Sequence, residues 1–204
     1  DFGLLSFDAE GGEGQYEFDF SHAEVLASAD RMTLFRTLVK QAAKETGLVA
    51  TFMPKPFAHL WGSGAHFNMS LEDRHTGENV FKNGAGKSSW RKEALHFAGG
   101  ILKHAKALAA LSNPTTNSYR RLVPRLADGN FSWAPTKISY GHNNRSCMLR
   151  LPDNRPAIEN RSVDAAANTY LTAAFMLAAG LEGIRDGIDP GKPEDVVSYT
   201  DESQ

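Results

Sequence analysis

Residues 62–71 read Gly-Ser-Gly-Ala-His-Phe-Asn-Met-Ser-Leu, two glycines followed at once by an alternating run. Alternation of polar and apolar residues fits a half-buried strand and not a helix, because successive strand side chains point to opposite faces. It places His66, Asn68 and Ser70 in one row and Ala65, Phe67, Met69 and Leu71 in the other. The apolar row packs; the polar row meets water or does chemistry. Glycines directly ahead of such a strand mark backbone that must approach something closely. Three ordinary polar residues facing solvent is the competing reading of this segment, so the rest of the chain has to decide.

With 204 residues, 41% of them hydrophobic, and a net charge of −2, the chain can bury one sizeable core. The near-neutral balance argues against a dedicated nucleic-acid or membrane-surface protein, although local arginine clusters could hold phosphate groups of a small ligand. The single cysteine, Cys147, excludes an internal disulfide, fits a reducing compartment and reads as a small buried residue. No apolar stretch reaches the roughly 20 residues of a membrane span, and the N-terminus lacks the basic and apolar regions of a signal peptide. The expected compartment is the cytoplasm. The chain opens on Asp1-Phe2-Gly3 without an initiator Met and closes on a polar segment from Ser198 to Gln204, as expected of a fragment.

Residues 8–20 form a glycine-rich turn feeding a strand in which Gln15, Glu17 and Asp19 alternate with Tyr16, Phe18 and Phe20. Glu10 and Glu17 flank the turn. Two carboxylates brought together repel unless a cation or a proton lies between them, so their convergence implies a metal or a raised pKa; a solvated acidic loop is the alternative. Helical spacing of Leu26, Leu34, Leu38, Val39 and Ala42 predicts a helix over 23–45, stopped by Gly47. Residues 48–53 read as a short strand ended by Pro54 and Pro56. Residues 83–88 invite a phosphate-loop reading, but the required first glycine falls on Phe81, so a surface loop is expected there. A helix over 89–111 follows, with an apolar stripe of Leu95, Ala98, Leu102, Ala105 and Leu108.

Arg121 lies in a polar segment held between Pro114 and Pro124, stiff backbone that suits a fork-shaped carboxylate binder; an exposed arginine is the alternative. Arg145 and Arg150 surround the apolar Cys147, Met148 and Leu149, and Glu159 and Arg161 share one strand face. A last helix is predicted over 164–185, with Asp164 as N-cap and Gly187 as stop. Carboxylates with one histidine suit a hard cation such as magnesium or manganese, and arginines suit phosphate and carboxylate groups. The chemistry implied is phosphoryl transfer.

Several blocks, in order, resemble the catalytic domain of glutamine synthetase: Glu10-Gly-Gly-Glu-Gly-Gln-Tyr-Glu17, Thr51-Phe-Met-Pro-Lys-Pro56, residues 62–71, residues 113–124, Asn144-Arg-Ser-x3-Arg-x-Pro152 and Glu159-x-Arg161. The resemblance covers residues 8–188. It implies an α+β fold whose antiparallel sheet forms the site floor, backed by the three predicted helices, with residues 1–204 a partial catalytic domain and the small N-terminal domain absent. It implies ATP and Mg2+ or Mn2+, with Glu10 and Glu17 on one metal and His66 and Glu159 on the other, each metal lacking one further glutamate from an upstream strand. Gly62, Arg121, Arg145 and Arg161 would bind glutamate, and Asn68, Ser70, Arg145 and Arg150 the nucleotide and its phosphates. Arg145 would also act on the acyl phosphate, with Asp128 the nearest acid to the ammonium site. The implied reaction joins glutamate to ammonia or a small amine in a homo-oligomeric ring, a dodecamer of stacked hexamers, with no nucleic-acid or membrane partner. The sequence departs from the common pattern at Trp61, Asn68 and Ala157, the last standing in place of an arginine, and no loop glutamate is evident near Trp133. Those departures look similar to the glutamate-methylamine ligase branch, and a non-catalytic member of the fold is the other reading.

Overall fold

The computed structural model describes residues 2–83, 89–197 and 199. The strand Leu4–Ala9 (β1) pairs antiparallel with Tyr16–Phe20 (β2), and the register sets Asp8 opposite Glu17 and Ala9 opposite Tyr16. The glycines between them close the turn: Glu10 N donates to Gln15 O (2.9 Å) and Gln15 N to Gly12 O (3.0 Å). Alternation again decides the packing side, since Phe18 and Phe20 meet the Phe35 ring edge-on at 4.9 and 5.1 Å. Phe35 belongs to helix Val25–Glu45 (α1), which ends at Thr46 and Gly47, with φ +74° at the glycine. Residues 48–53 were expected as a strand and are not one. Among the described residues no strand edge pairs with them, Leu48 and Val49 are exposed, and Pro54 follows at once.

A second sheet carries the order β3-β6-β5-β4, from Phe67–Met69 (β3), Tyr140–His142 (β4), Leu149–Leu151 (β5) and Ile158–Asn160 (β6). Two of its pairings are antiparallel as expected, whereas β4 and β5 run parallel. Parallel neighbours normally need a long crossover. Here the strands are three residues each, and Asn143, at φ +52°, turns the chain back immediately after β4. One face of this sheet carries Leu149, Leu151 and Ile158 into a core shared with Phe97, Ile101 and Met176. Phe67 and Met69, with Ala65 and Leu71, pack against that core, as the alternation requires.

The core's other wall is helical: Lys92–Lys103 (α2), Ala105–Ser112 (α3) and Thr169–Asp186 (α5). The helix expected over 89–111 is thus two, broken at His104, whose imidazole meets Glu182 of α5 at 3.1 Å. α2 and α5 touch backbone to backbone, so that a Cβ on Gly100 would lie 2.0 Å from Ala179 O. α5 starts later than expected. Its cap is Asn168, which accepts from Leu171 N (3.1 Å), while Asp164 is fully buried and holds the preceding loop through Ala166 N and Asn113 Nδ2. A short helix, Thr116–Arg121 (α4), occupies the polar segment between Pro114 and Pro124, started by a reciprocal Thr115 and Ser118 cap. No helix among the described residues is long and apolar enough to cross a membrane.

Candidate active site

The polar face of the second sheet carries the site. Strand register alone builds its central row, because Asn68 on β3 and Arg150 on β5 both lie directly opposite Glu159 on β6. His66 and Arg161, each two residues along, extend the row on the same face. Glu159 is buried and meets four side chains. Arg161 Nη1 donates to Oε1 (2.5 Å), Arg150 Nη1 to Oε2 (2.9 Å) and Arg155 Nη2 to Oε2 (3.0 Å), while His66 Nδ1 lies 3.2 Å from Oε1. Burial works against the Glu159 charge; the His66 hydrogen bond and the charges of Arg161 and Arg150 outweigh it and hold the carboxyl well below its ordinary range. Burial first, then Arg161 and Arg121, push His66 down to about 4 against the opposing pull of Glu159. A neutral His66 facing a carboxylate must donate from Nδ1, leaving the Nε2 lone pair available.

The Glu10 and Glu17 side chains converge across the turn, the less expected of the two readings. A hydrogen bond to Glu10, partial burial and the Glu10 charge raise the Glu17 carboxyl to about 7, with Arg161 acting in the opposite direction. The acidic pair therefore shares a field with the buried cluster. Gln15 docks the turn by donating to Gly62 O (2.9 Å), and the Trp61 indole covers Gly11 closely enough that a Cβ there would lie 2.7 Å from it. Gly62 is required for the same reason, since a Cβ would meet Pro54 O at 2.6 Å and Arg121 Cγ at 2.8 Å. Ionising both carboxyls sets two negative charges side by side, which the raised Glu17 pKa resists and a divalent ion would balance. Glu159 fits one less well, because both its oxygens already face guanidinium groups. Among the described residues no three His, Cys, Asp or Glu side chains form a metal cage.

The other expected site residues are less uniform. Arg121, nine-tenths buried and lowered to about 10 by that burial, donates to Ser162 O and Arg161 O, each at 2.9 Å. Two of its five N–H donors hold backbone, which makes it a positioning residue for the loop after β6. Arg145 is exposed; its carbonyl accepts from Arg161 Nε (2.8 Å), and among the described residues its guanidinium has no partner. Arg150 also donates to Asn143 Oδ1 at 2.6 and 3.2 Å, and Ser70 is exposed beyond β3. Asp128 is not brought to the cluster. Both its oxygens accept from Asn130, at 3.0 and 2.8 Å, which lowers its pKa and leaves it a turn residue. Residues 84–88 of the rejected phosphate loop lie outside the described residues. Arg155 and Asn143 were not expected at all, and only their neighbourhood to Glu159 and Arg150 in the folded sheet reveals them.

Beside the cluster a cleft of about 360 Å3 is lined by Arg145, Arg150, Trp133, His142, Asn143 and Asp195. A larger one of about 710 Å3, against α1, is lined by no carboxylate or histidine and so lacks the groups this chemistry needs. Buried carboxylate, paired acids, neutral histidine and arginine-lined cleft converge on the sheet face where the ordered sequence blocks also fall. A family comparison agrees: the profile described as "Glutamine synthetase, catalytic domain" matches residues 2–204. The chain belongs to the glutamine synthetase family. A glutamine synthetase of Pyrococcus horikoshii is 48% identical over 184 residues, covering 89% of this chain and 39% of the relative. A glutamate–methylamine ligase of Methyloversatilis universalis is 43% identical over 193 residues, covering 94% of this chain and 43% of that one. The solved structure of a GmaS/ADP complex matches with a TM-score of 0.88 at 44% identity, over 97% of this chain and 45% of that chain. The chain spans under half the length of these relatives. Glutamine synthetase family members use ATP and a divalent metal, and the α+β architecture described above is theirs.

Proposed function

We propose that the protein carrying this chain is an ATP-dependent ligase that joins glutamate to ammonia. The observation that supports it most is Glu159, buried among Arg150, Arg155 and Arg161, with the charge of Arg161 also reaching the Glu10 and Glu17 pair. Anionic reactants need such a surplus of fixed cations, and the divalent ions that accompany nucleotide phosphates need such a pair of acids. In the reaction a γ-carboxylate oxygen of glutamate attacks the terminal phosphorus of ATP and the bond to ADP breaks. The amine nitrogen then attacks the acyl carbon, the carbon–oxygen bond to phosphate breaks, and the nitrogen loses a proton. Glu10 and Glu17 would hold one cation and His66 Nε2 would face another, the rest of the full-length protein adding further carboxylates. Bound there, a cation neutralises phosphate oxygens. Arg145, which lines the cleft and whose guanidinium has no partner among the described residues, is assigned to the transferred phosphoryl group, and Arg161 and Gly62 to the glutamate side. The same reading places the reaction in the cytoplasm and the protein in a homo-oligomeric ring.

Methylamine as acceptor is the second reading, favoured by the likeness to the methylamine ligase, by Trp133, which lines the cleft and accepts from Arg161 Nη2 through its carbonyl (3.4 Å), and by Trp61, which covers the acidic turn at Gly11. A steady-state assay of ADP release by the full-length protein, with glutamate and either ammonia or methylamine, tests both. Glutamate- and ammonia-dependent turnover is expected, with kcat falling about 100-fold or more for Arg145→Ala at unchanged thermal stability. No amine-dependent turnover, or an Arg145→Ala variant with full activity, would overturn the proposal. A kcat/KM for methylamine more than about tenfold above that for ammonia would transfer it to the second acceptor.

A further inference from the structure

The cleft of about 710 Å3 against α1 takes no part in the site described above, yet the charge in its lining is all of one sign. From α1 it receives Thr33, Arg36, Thr37 and Lys40, spaced i, i+3, i+4 and i+7 and therefore on one face of the helix. Its other wall is the segment 50–54, where Phe52, Met53 and Pro54 supply apolar surface. Arg36 and Lys40 line the cleft, and no Asp or Glu does. Arg36 is set in place by one end of its fork: Nη1 donates to Ala165 O (2.9 Å) and Ala167 O (3.0 Å). Its Nε and Nη2 take no partner among the described residues, and neither is sealed from solvent. These donors stay open to a ligand.

Lys40 points the same way. Its Nζ lies 5.9 Å from the centre of the Phe52 ring, and it is exposed, with no hydrogen-bond or carboxylate partner among the described residues. The Thr51 hydroxyl accepts from Met53 N (3.1 Å), which leaves its own proton to donate. The wall that carries these residues is held from behind, because the Asn117 amide pairs with the N–H and the C=O of Lys55 (2.7 and 2.9 Å) and Pro54 O accepts from Ser63 N (2.8 Å). A cleft with both walls fixed needs little reordering to receive a ligand. Free donors and positive charge without an acid select an anion. Two cations one helical turn apart suit two negative charges, and the wall of Phe52, Met53 and Pro54 suits a carbon chain between them. The volume, about 710 Å3, is that of a small-molecule site and not of a single inorganic ion.

We infer that this cleft binds a small organic dianion, a short-chain dicarboxylate, with one carboxylate on Arg36 and the other on Lys40. The inference stands apart from the ligase reading, since no residue of the Glu159 cluster or of the acidic turn lines the cleft. Calorimetric titration of the full-length protein with succinate tests it, with butyrate, which has one carboxylate on the same length of chain, and inorganic phosphate as comparison ligands. Succinate should bind at least about tenfold more tightly than either. Lys40→Gln removes a charge and disturbs no hydrogen bond among the described residues, so it should weaken succinate about tenfold at an unchanged melting temperature. Arg36→Gln should weaken it at least as much. Arg145→Ala should leave succinate binding as it was, which separates this cleft from the one beside Glu159. The inference is overturned by any of four results: no succinate binding by the unaltered protein, butyrate or phosphate bound as tightly as succinate, full affinity in Lys40→Gln, or loss of binding in Arg145→Ala.

Discussion

Arg121→Met separates a loop-positioning arginine from a substrate clamp. The methionine keeps most of the apolar stem and removes two hydrogen bonds of 2.9 Å, to Ser162 O and Arg161 O. Each carbonyl sits in buried backbone, and each loses a charged donor worth about 1.5–3 kcal/mol. Against that, burial already disfavours the guanidinium charge, which lowers Arg121 to about 10, so part of the cost is returned when the charge goes. The buried Asp164 feels the Arg121 charge and loses it, which moves the balance back. A net destabilisation of about 3 kcal/mol is expected, and at a urea slope of about 2 kcal/mol/M it lowers the unfolding midpoint by about 1.5 M. Tryptophan-monitored urea unfolding of the unaltered and variant proteins measures it. A midpoint lowered by less than about 0.3 M together with a KM for glutamate raised tenfold or more would refute the argument. The guanidinium would then be reserved for ligand, as the sequence resemblance alone implies.

Glu17→Gln carries a pH signature. A carboxyl held at about 7 in the folded chain, above its ordinary 4.5, favours folding below pH 4.5 and loses that contribution as pH rises through 7. The glutamine variant should therefore melt higher than the unaltered protein at pH 8 without Mg2+ and about equally at pH 5; Mg2+ at pH 8 should raise the melting temperature of the unaltered protein more than that of the variant. Melting curves showing no difference at pH 8 would mean the acids do not repel. Gly100→Ala, although a gain in helix propensity, puts a Cβ 2.0 Å from Ala179 O where backbone has no room to yield, and a net loss of about 1–3 kcal/mol is expected by denaturant unfolding.

Alternation and helical spacing carried most of the fold. The polar row of His66 and Asn68, the apolar row of Phe67 and Met69 and the stripe on α2 and α3 follow from local periodicity, because one side of each packs against the core, whereas the stripe expected on α1 is exposed at Leu26, Leu34 and Leu38. What failed was non-local. Residues 48–53 have strand composition, but a strand needs an edge to pair with, and none among the described residues reaches them. The parallel pairing of β4 and β5 depends on a reversal at Asn143, a residue with a positive φ that composition alone does not single out.

The site was legible as a list of residues and not as a set of partnerships. Reading along the strand finds Glu159 and Arg161 on one face, but the other partners of Glu159 are His66 just ahead of β3, Arg150 on β5 and Arg155 in a turn, which only the fold brings together. The family pattern directs attention to position 157, where this chain has Ala157. The arginine that reaches Glu159 from that turn is Arg155, at i,i+4 from it, because the reversal before β6 brings its longer path to the same oxygen. An arginine displaced by two residues along a strand would keep its face, whereas one displaced into a turn is free to aim elsewhere, so only the coordinates tell whether a charge missing from a motif is missing from the site. Arg121 shows the converse: its position in the motif is kept, but two of its donors are held by the carbonyls of Arg161 and Ser162, a partnership that reading along the chain does not reveal.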